Sequence, residues 1–423
     1  MRGTTLCGRL LGLKRTVVEG FELLEAADGS DDLVVRVRPY AAEAARCSRC
    51  RRVCPGYDGG SGRPRRWRGL DMGELRTFIE ADVARVKCPD HQVVAAYVPW
   101  ACPGSRFTSA FEDTVAWLAA HTPASAVAGL LRTTWRTVSA IVTRVVARAA
   151  GRVDLLDGLV RIGIDEVSYR KGQNYLVCVV NHDTGALVWA AKGRDKATVE
   201  KFFAALGEER AARLEVVSAD AATWISEVVK VRAKNAVMTM DPFHVVQWGT
   251  DAVDQVRRRT VAVLKGRNLD EEASALKGSR WALLKNPENL TEGQKVTLEG
   301  IKSTNGDLFT AYLLKEQLRE VFAQRGDKGK KLLAGWFSWV ADAGLAAFEK
   351  VAASITRILP AVHAALDIDV NNARLEASNT TLRMITRRGF GYHSADSLIA
   401  MAMLKRSGLC PPLPGRTPRS HTR

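Results

Sequence analysis

The chain has 423 residues, enough for two to four domains with sizeable cores. Its 46% hydrophobic and 26% charged content excludes a disordered chain. The net charge of +16 favours a polyanionic partner; nucleic acid is the commonest, and an anionic membrane surface is the competing explanation.

Membrane insertion and secretion are not expected. No apolar run approaches the roughly 18 residues of a membrane span. Lys14 and Arg15 interrupt the apolar stretch near the N-terminus, which makes it a poor signal peptide. We therefore expect a cytoplasmic protein, in which the eight cysteines are ligands or buried thiols rather than disulfides.

The first hundred residues predict a β domain with a metal site. TVVEGFELLEA and DLVVRVRPY read as a β-hairpin. A CxxC on a turn and a CxxH after a strand supply four ligands of the type that holds one structural Zn²⁺: Cys47, Cys50, Cys88 and His91. Cys54 or Cys102 could replace one of them, and buried thiols without a metal are the alternative reading.

A basic, glycine-rich stretch, GGSGRPRRWRG, lies between the two cysteine motifs. Arg65, Arg66 and Arg68 are candidates for phosphate contacts that would make DNA affinity sensitive to salt. The alternative is a solvated surface.

Residues 107–155 predict a helical segment. A short helix, a tight turn near Thr133 and Thr134, and a longer helix are typical of a helix-turn-helix, with Thr122 as a helix N-cap ahead of Pro123. We expect Trp135 to pack inward with the valines and isoleucine of the longer helix. The side chains left for DNA are Arg136, Thr137, Ser139, Thr143 and Arg144. A plain helical bundle that links two domains is the other possibility.

From about residue 159 the hydrophobic period changes to that of strands. LVRIGIDEVSY, NYLVCVVNHDTG and ALVWAAKG predict three strands, and LEVVSAD and AVMTMD predict a fourth and a fifth, with helices between them. This order suggests a mixed α/β sheet. Residues from roughly 245 to 355 are basic and helical.

Three carboxylates on separate elements could hold two divalent metal ions at a phosphodiester: Asp165, Asp220 and Glu376. Strand alternation puts Asp165 and Glu166 on opposite faces, so we choose Asp165 and keep Glu166 as the fallback. Asp220 follows a strand, where open α/β sheets commonly place ligands. Each acid alone could be a solvated cap.

The helix that carries Glu376 has a polar face. Leu375, Leu382 and Ile385 form an apolar stripe at helical spacing. The separate polar side includes Asn379 and Arg383, which could support a metal-binding glutamate against a DNA backbone.

The order of these acids resembles the ribonuclease-H-like core of DDE transposases. The motifs GIDE, SAD, MDPFHVV and NNARLEASNTTLRMITRRGFGY resemble those of the ISL-three family of bacterial insertion-sequence transposases. The resemblance extends over nearly the whole chain. The resemblance implies that Asp165, Asp220 and Glu376 are the catalytic triad. It also implies an N-terminal zinc finger and a helical insertion between the second and third acids. Asp241 and His244 match the family pattern; His244 could assist the site, or only cap local backbone.

These observations predict a multidomain chain in six segments: a zinc-binding β domain (1–106), a helix-turn-helix (107–155), a ribonuclease-H-like core in two parts (156–250 and 356–410), a helical insertion (251–355) and a disordered basic tail (411–423). The resemblance implies a DNA transposase that binds terminal inverted repeats of double-stranded DNA. It would cleave and transfer strands with two Mg²⁺ or Mn²⁺ ions, as a homodimer or larger assembly. The alternatives are a metal-dependent nuclease without strand transfer, a domesticated non-catalytic regulator, and an RNA-processing enzyme.

Overall fold

The structure is a computed structural model that describes residues 3–170, 172, 174–220, 222–368, 373–389, 392 and 394–416, apart from the side chains of 373–376, 378 and 379. The chain divides into two compact units. One is Met1–Asp154 with Met384–Arg423, and the other is Leu155–Arg383.

The first unit begins with two small sheets. Its elements up to residue 95 are α1 (Gly3–Leu10), β1 (Thr16–Glu25), β2 (Asp31–Pro39), α2 (Ala41–Ala44), β3 (Gly56–Asp58), β4 (Arg65–Arg68), β5 (Arg76–Ala81), β6 (Arg85–Cys88) and β7 (Gln92–Ala95). One sheet has the order β1-β2-β5-β4 and the other β3-β6-β7. The predicted hairpin is confirmed as the antiparallel pair β1–β2, whereas β2 and β5 pair in parallel.

Three helices follow: α3 (Ser109–His121), α4 (Ala124–Leu130) and α5 (Trp135–Ala150). The predicted turn is confirmed, since α4 ends before Thr133 and α5 starts after Thr134. The predicted N-cap is wrong: Thr122 is the C-cap of α3, and its hydroxyl donates to the Leu118 carbonyl at 3.0 Å. A proline at position 123, with no N–H to offer a helix, starts the next one instead.

The second unit contains a five-stranded mixed sheet. Its elements are β8 (Arg161–Arg170), β9 (Asn174–Asn181), β10 (Leu187–Lys192), α6 (Lys196–Leu206), α7 (Glu208–Ala211), β11 (Val216–Ala219), α8 (Thr223–Arg232) and β12 (Val237–Met240). The strand order is β10-β9-β8-β11-β12. The first three strands are antiparallel neighbours, and β8, β11 and β12 run parallel, which confirms the predicted mixed α/β sheet.

One face of this sheet packs through apolar side chains against α6 and α8. Ile162 and Ile164 of β8 pack there with Val177, Val217 and the aromatic pair of α6, Phe202 and Phe203. Alternation along β8 therefore directs Asp165 to the other face, beside Cys178 of β9.

Helices make up the described structure beyond β12, apart from connecting turns. They are α9 (Pro242–Gly266), α10 (Asp270–Gly278), α11 (Arg280–Leu284), a 3-10 turn (Pro287–Asn289), α12 (Glu292–Thr304), α13 (Gly306–Ala323), α14 (Gly326–Ala343), α15 (Ala346–Arg357), α16 (Leu359–Asp367), α17 (Ala373–Arg388) and α18 (Ala395–Arg406). The helical core around Trp336, Phe348 and Leu318 is continuous with Met240 at the end of β12.

The last helix belongs to the first unit, where α18 packs against α3 and α5. The boundary between the two units thus falls inside the predicted segment 356–410. Among the described residues, no helix combines the length and apolar composition that a membrane span requires.

Candidate metal centre and acidic strand-end site

The four predicted zinc ligands converge in the first unit. The ligand atoms of Cys47, Cys50, Cys88 and His91 all lie within 4.8 Å of one another. Three of the separations are Cys47 Sγ to His91 Nδ1 at 3.7 Å, Cys50 Sγ to Cys88 Sγ at 3.7 Å, and Cys88 Sγ to His91 Nδ1 at 3.5 Å. A tetrahedron with Zn–S bonds of about 2.3 Å has edges of about 3.8 Å, so the arrangement fits one zinc ion.

Backbone N–H groups donate hydrogen bonds to two of the ligand sulfurs, those of Cys47 and Cys88. Burial opposes ionisation of Cys88, but hydrogen bonds from the N–H groups of Asp90 and His91 lower its pKa to about 7. The N–H of Arg49 likewise donates to Cys47 Sγ at 3.4 Å. A thiolate is the form that binds zinc.

The two other candidate cysteines lie outside this group of four. Cys54 is buried, and its thiol donates to the Arg52 carbonyl at 3.4 Å. Cys102 contacts Arg148 on α5, with the guanidinium 2.9 Å from the sulfur.

The longer helix of the helix-turn-helix begins with an exposed polar end. The Thr134 hydroxyl accepts the Thr137 N–H at 3.2 Å and caps α5. Arg136 and Thr143 are exposed, while Thr137 and Ser139 are half-buried. Their opposite face, formed by four aliphatic side chains, is buried: Val138, Ile141, Val142 and Val145.

One expectation for this helix is wrong. Trp135 does not pack inward; it is 47% exposed, and the Arg136 guanidinium lies 5.3 Å from its ring. Arg144, predicted to contact DNA, is exposed and pairs with the Glu112 carboxylate at 2.8 Å. Glu112, which sequence reasoning missed, is fully buried and also binds Arg148 and the Ser105 hydroxyl.

The basic stretch before β5 is only partly available to a ligand. Arg65 is exposed, and Arg66 pairs with Glu80 at 2.6 Å. Arg68, also predicted to contact phosphate, is buried and pairs with Asp71 at 2.6 Å. In the second unit, Arg257 is similarly buried against Asp254.

Register brings three aspartates together where β11 and β12 end, although β8 continues past this point to Arg170. Ala219 of β11 pairs with Ile164 of β8 on one side and with Met240 of β12 on the other. The next residue on each chain segment is an aspartate: Asp165, Asp220 and Asp241. The Asp241 N–H donates to the Ala219 carbonyl at 3.2 Å, which continues the ladder by one step.

Each aspartate of this row accepts a nearby backbone N–H. Asp165 accepts from Glu166 at 2.7 Å, Asp220 from Ala222 at 3.0 Å, and Asp241 from Phe243 at 3.0 Å. Asp165 and Asp241 are buried, and Asp220 is half-buried.

Glu166, the fallback acid, lies at the same end of the sheet. Burial raises its pKa, and so do the charges of Asp220 and Asp165, while an ion pair with Arg194 opposes the shift. The Arg194 guanidinium lies over the Tyr175 ring at 4.5 Å.

The remaining candidates are described in part. Glu376 and Asn379 belong to α17, but the structure describes only the backbone of these two residues. Arg383 is exposed on the same helix. His244 is in the first turn of α9, where its N–H donates to the Asp241 carbonyl at 3.1 Å and its ring lies 5.9 Å from that of Phe243.

Three family models match this chain in consecutive segments. A zinc-finger model of transposases of the IS204, IS1001, IS1096 and IS1165 elements covers residues 43–91. A helix-turn-helix domain of transposase family ISL3 covers residues 97–146, and an ISL3 transposase model covers residues 162–402.

Named relatives agree with these matches. The chain is 47% identical to a transposase for insertion sequence element IS1557 from Mycobacterium tuberculosis, over 98% of both chains. It is 27% identical to a transposase for insertion sequence element IS1001 from Bordetella parapertussis, over 78% of this chain and 82% of the relative. The chain therefore belongs to the ISL3 family of insertion-sequence transposases, with a zinc-finger segment and a DNA-binding helix-turn-helix ahead of the transposase domain.

Proposed function

We propose that the second unit contains a ribonuclease-H-like core that cleaves and transfers DNA strands with two divalent metal ions. The observation that carries the proposal is the register of β8 and β11, which sets Asp165 level with Asp220. The strand order β10-β9-β8-β11-β12 supports the same reading. Carboxyl ends of parallel strands are the usual ligand edge of an α/β sheet.

In this proposal Asp165, Asp220 and Glu376 hold the cations. Two bound divalent cations supply an activated nucleophile and a stabilised leaving oxygen. The Asp165 and Asp220 side chains each accept a backbone N–H, which restrains their orientation. Asp241 and His244 would support the site from the start of α9, and Asn379 and Arg383 from α17.

The first unit would hold the DNA. Cys47, Cys50, Cys88 and His91 would bind one structural Zn²⁺ beside the three-stranded sheet. Arg65 and Arg66, on β4 of the four-stranded sheet, would contact phosphates. Arg136, Thr137, Ser139 and Thr143 would face the terminal inverted repeat at the exposed start of α5. Joining two element ends requires at least two active sites, so we propose a homodimer or larger assembly on DNA.

A cleavage assay tests the catalytic assignment. Element-end DNA with Mg²⁺ is the substrate, and Asp220→Asn and Glu376→Gln are expected to abolish cutting. Asp183→Asn is the matched control, because Asp183 lies in the β9–β10 turn and pairs with Arg161 at the amino end of β8. Normal cutting by both active-site variants contradicts the assignment.

The strand-transfer step separates a transposase from a plain nuclease. A pre-cut element end with a free 3′-hydroxyl is expected to join target DNA in the presence of the wild-type protein. A domesticated regulator predicts full biological activity for Asp220→Asn, and an RNA-processing enzyme predicts that RNA outcompetes duplex DNA for binding.

A further inference from the structure

One oxygen of Glu166 is buried without a hydrogen-bond donor among the described residues. The side chain is 6% exposed, and its second oxygen binds Arg194. Oε1 is buried from solvent and has no hydrogen-bond partner in the described part of the chain. Leaving a charged acceptor unsatisfied in the interior costs stability, so such an atom needs an explanation.

The charges around Glu166 make the position more unfavourable. The Asp220 carboxylate is close enough to raise the pKa of Glu166, and Asp165 adds to the effect, with burial the largest cause. Arg194 is the cation that offsets them, and it is 53% exposed, so its charge is partly screened by water. Glu166 thus has two acidic neighbours, Asp220 and Asp165, and its own ion pair is with a partly solvated arginine.

Strand geometry explains how Glu166 can share a site with acids on the opposite face. Asp220 lies one residue past the end of β11, so the edge of the sheet, rather than one face, is where it is presented. Glu166 is on the neighbouring strand and two residues beyond Ile164, the partner of Ala219.

A purely structural ion pair with Arg194 satisfies only one of the two carboxylate oxygens of Glu166. Arg194 satisfies Oε2, and Tyr175 holds the guanidinium in place. Neither contact supplies Oε1. A divalent cation would supply it, since hard cations take carboxylate oxygens as ligands.

We propose that Glu166 is a further cation-binding residue of the acidic strand-end site, with Oε1 acting beside Asp220 and Arg194 holding the glutamate when no metal is bound. This inference rests on the proposed catalytic site. The class of ligand is a hard divalent cation, Mg²⁺ or Mn²⁺. Arg194 then acts as a competitor of the metal rather than as a simple structural partner.

Mn²⁺ binding to the full-length, zinc-loaded protein tests the proposal without any measurement of activity. Free Mn²⁺ is followed by electron paramagnetic resonance during titration. Glu166→Gln is expected to weaken binding by about 10- to 100-fold, the range for loss of groups that support a metal. Arg194→Gln is expected to strengthen it, because the competing cation is gone.

Glu80→Gln is the matched control. Its side chain is 8% exposed and pairs with Arg66, so it reproduces the burial and the ion pair of Glu166 in the first unit. Zinc content and the thermal unfolding midpoint establish that each variant is folded. If Glu166→Gln does not fold, Arg194→Gln decides alone, since a structural ion pair predicts no gain in Mn²⁺ affinity.

Asp220→Asn separates this inference from the proposed function. If Asp220→Asn weakens Mn²⁺ binding but Glu166→Gln and Arg194→Gln leave it at the wild-type value, the role of Glu166 is overturned and the catalytic site stands. If Asp220→Asn also binds Mn²⁺ as the wild type does, the proposed site itself fails.

Discussion

Glu112 is a buried acid that binds two arginines of α5, one of which, Arg144, the sequence predicts to contact DNA. It is fully buried and binds the Ser105 hydroxyl at 2.8 Å, as well as Arg144 and Arg148 of α5. Of these partners, Arg144 is the more exposed and Arg148 the less. The two ion pairs of Glu112 therefore hold α5 against α3 and help to set the orientation of the start of α5.

Truncation of this acid is expected to destabilise the first unit. Glu112→Ala leaves two guanidiniums beside a small cavity, and we expect a loss of roughly 2–3 kcal/mol. That is less than for a fully buried pair, because Arg144 is partly in water. Denaturant unfolding followed by circular dichroism measures it. Glu74→Ala, at an exposed position of the same unit, serves as the control, and equal midpoints for the two variants would contradict the role of Glu112.

The burial of Glu112 and Glu166 was not predictable from the sequence. Both are acids in helical or strand patterns that allow an exposed position, and only the tertiary neighbours bury them. The prediction for Trp135 was wrong in the opposite sense, because the residue was expected to be buried and is exposed. An aromatic at the first position of this helix lies beyond the reach of the core. The strand-end aspartates were predictable because each directly follows or ends an apolar β run.

At the scale of elements, the segment that carries the four zinc ligands is the one whose stability depends most on a single set of side chains. Cys88→Ser is expected to reduce the zinc content from about one ion per chain to none and to unfold the ribbon, as in small zinc domains generally. Cys54→Ser is the matched control, because Cys54 is a buried thiol of the same cluster outside the four ligands.

Zinc analysis by mass spectrometry, together with hydrogen exchange over residues 43–91, measures both outcomes. Retention of zinc by Cys88→Ser, or its loss in Cys54→Ser, would contradict the ligand set. Acid should release the ion, since protons compete with zinc for the ligand thiolates, and the pKa of Cys88 without metal is about 7.

The start of α5 is the element expected to read DNA. Arg136→Ala should weaken binding to an element end by roughly 1–3 kcal/mol if it contacts a base edge, or lower the salt dependence by about one unit if it contacts phosphate. Fluorescence anisotropy at several salt concentrations distinguishes the two. Arg38→Ala removes another exposed arginine, on β2 and paired with Glu19, and should leave the affinity near the wild-type value.

Equal losses in the two arginine variants would mean that binding follows overall charge rather than this helix. The helix-turn-helix itself was predictable, because a short helix, a two-threonine turn and a long amphipathic helix are all local patterns. The parallel pairing of β2 with β5 was not, since it joins strands separated by the whole cysteine motif.

At the scale of the whole molecule, the sequence and structure agree on order but differ on boundaries. All five strands of the second unit and the long helical stretch after β12 were predicted from hydrophobic period. The last helix was assigned to the core, yet α18 packs against α3 and α5. Its apolar face gives no indication of which partner covers it, so this packing could not be derived from pattern alone.

The most direct test of the central claim is a metal-specificity switch at Asp220. Asp220→Cys replaces a hard oxygen ligand with a softer thiolate, which Mn²⁺ tolerates better than Mg²⁺. Cleavage of element-end DNA is expected to fall by more than about 100-fold with Mg²⁺, beyond the loss typical of outer-shell groups, and to recover in part with Mn²⁺. Asp183→Cys should cut normally with either ion. Full activity of Asp220→Cys with Mg²⁺ would contradict a metal-binding role for the strand-end aspartate.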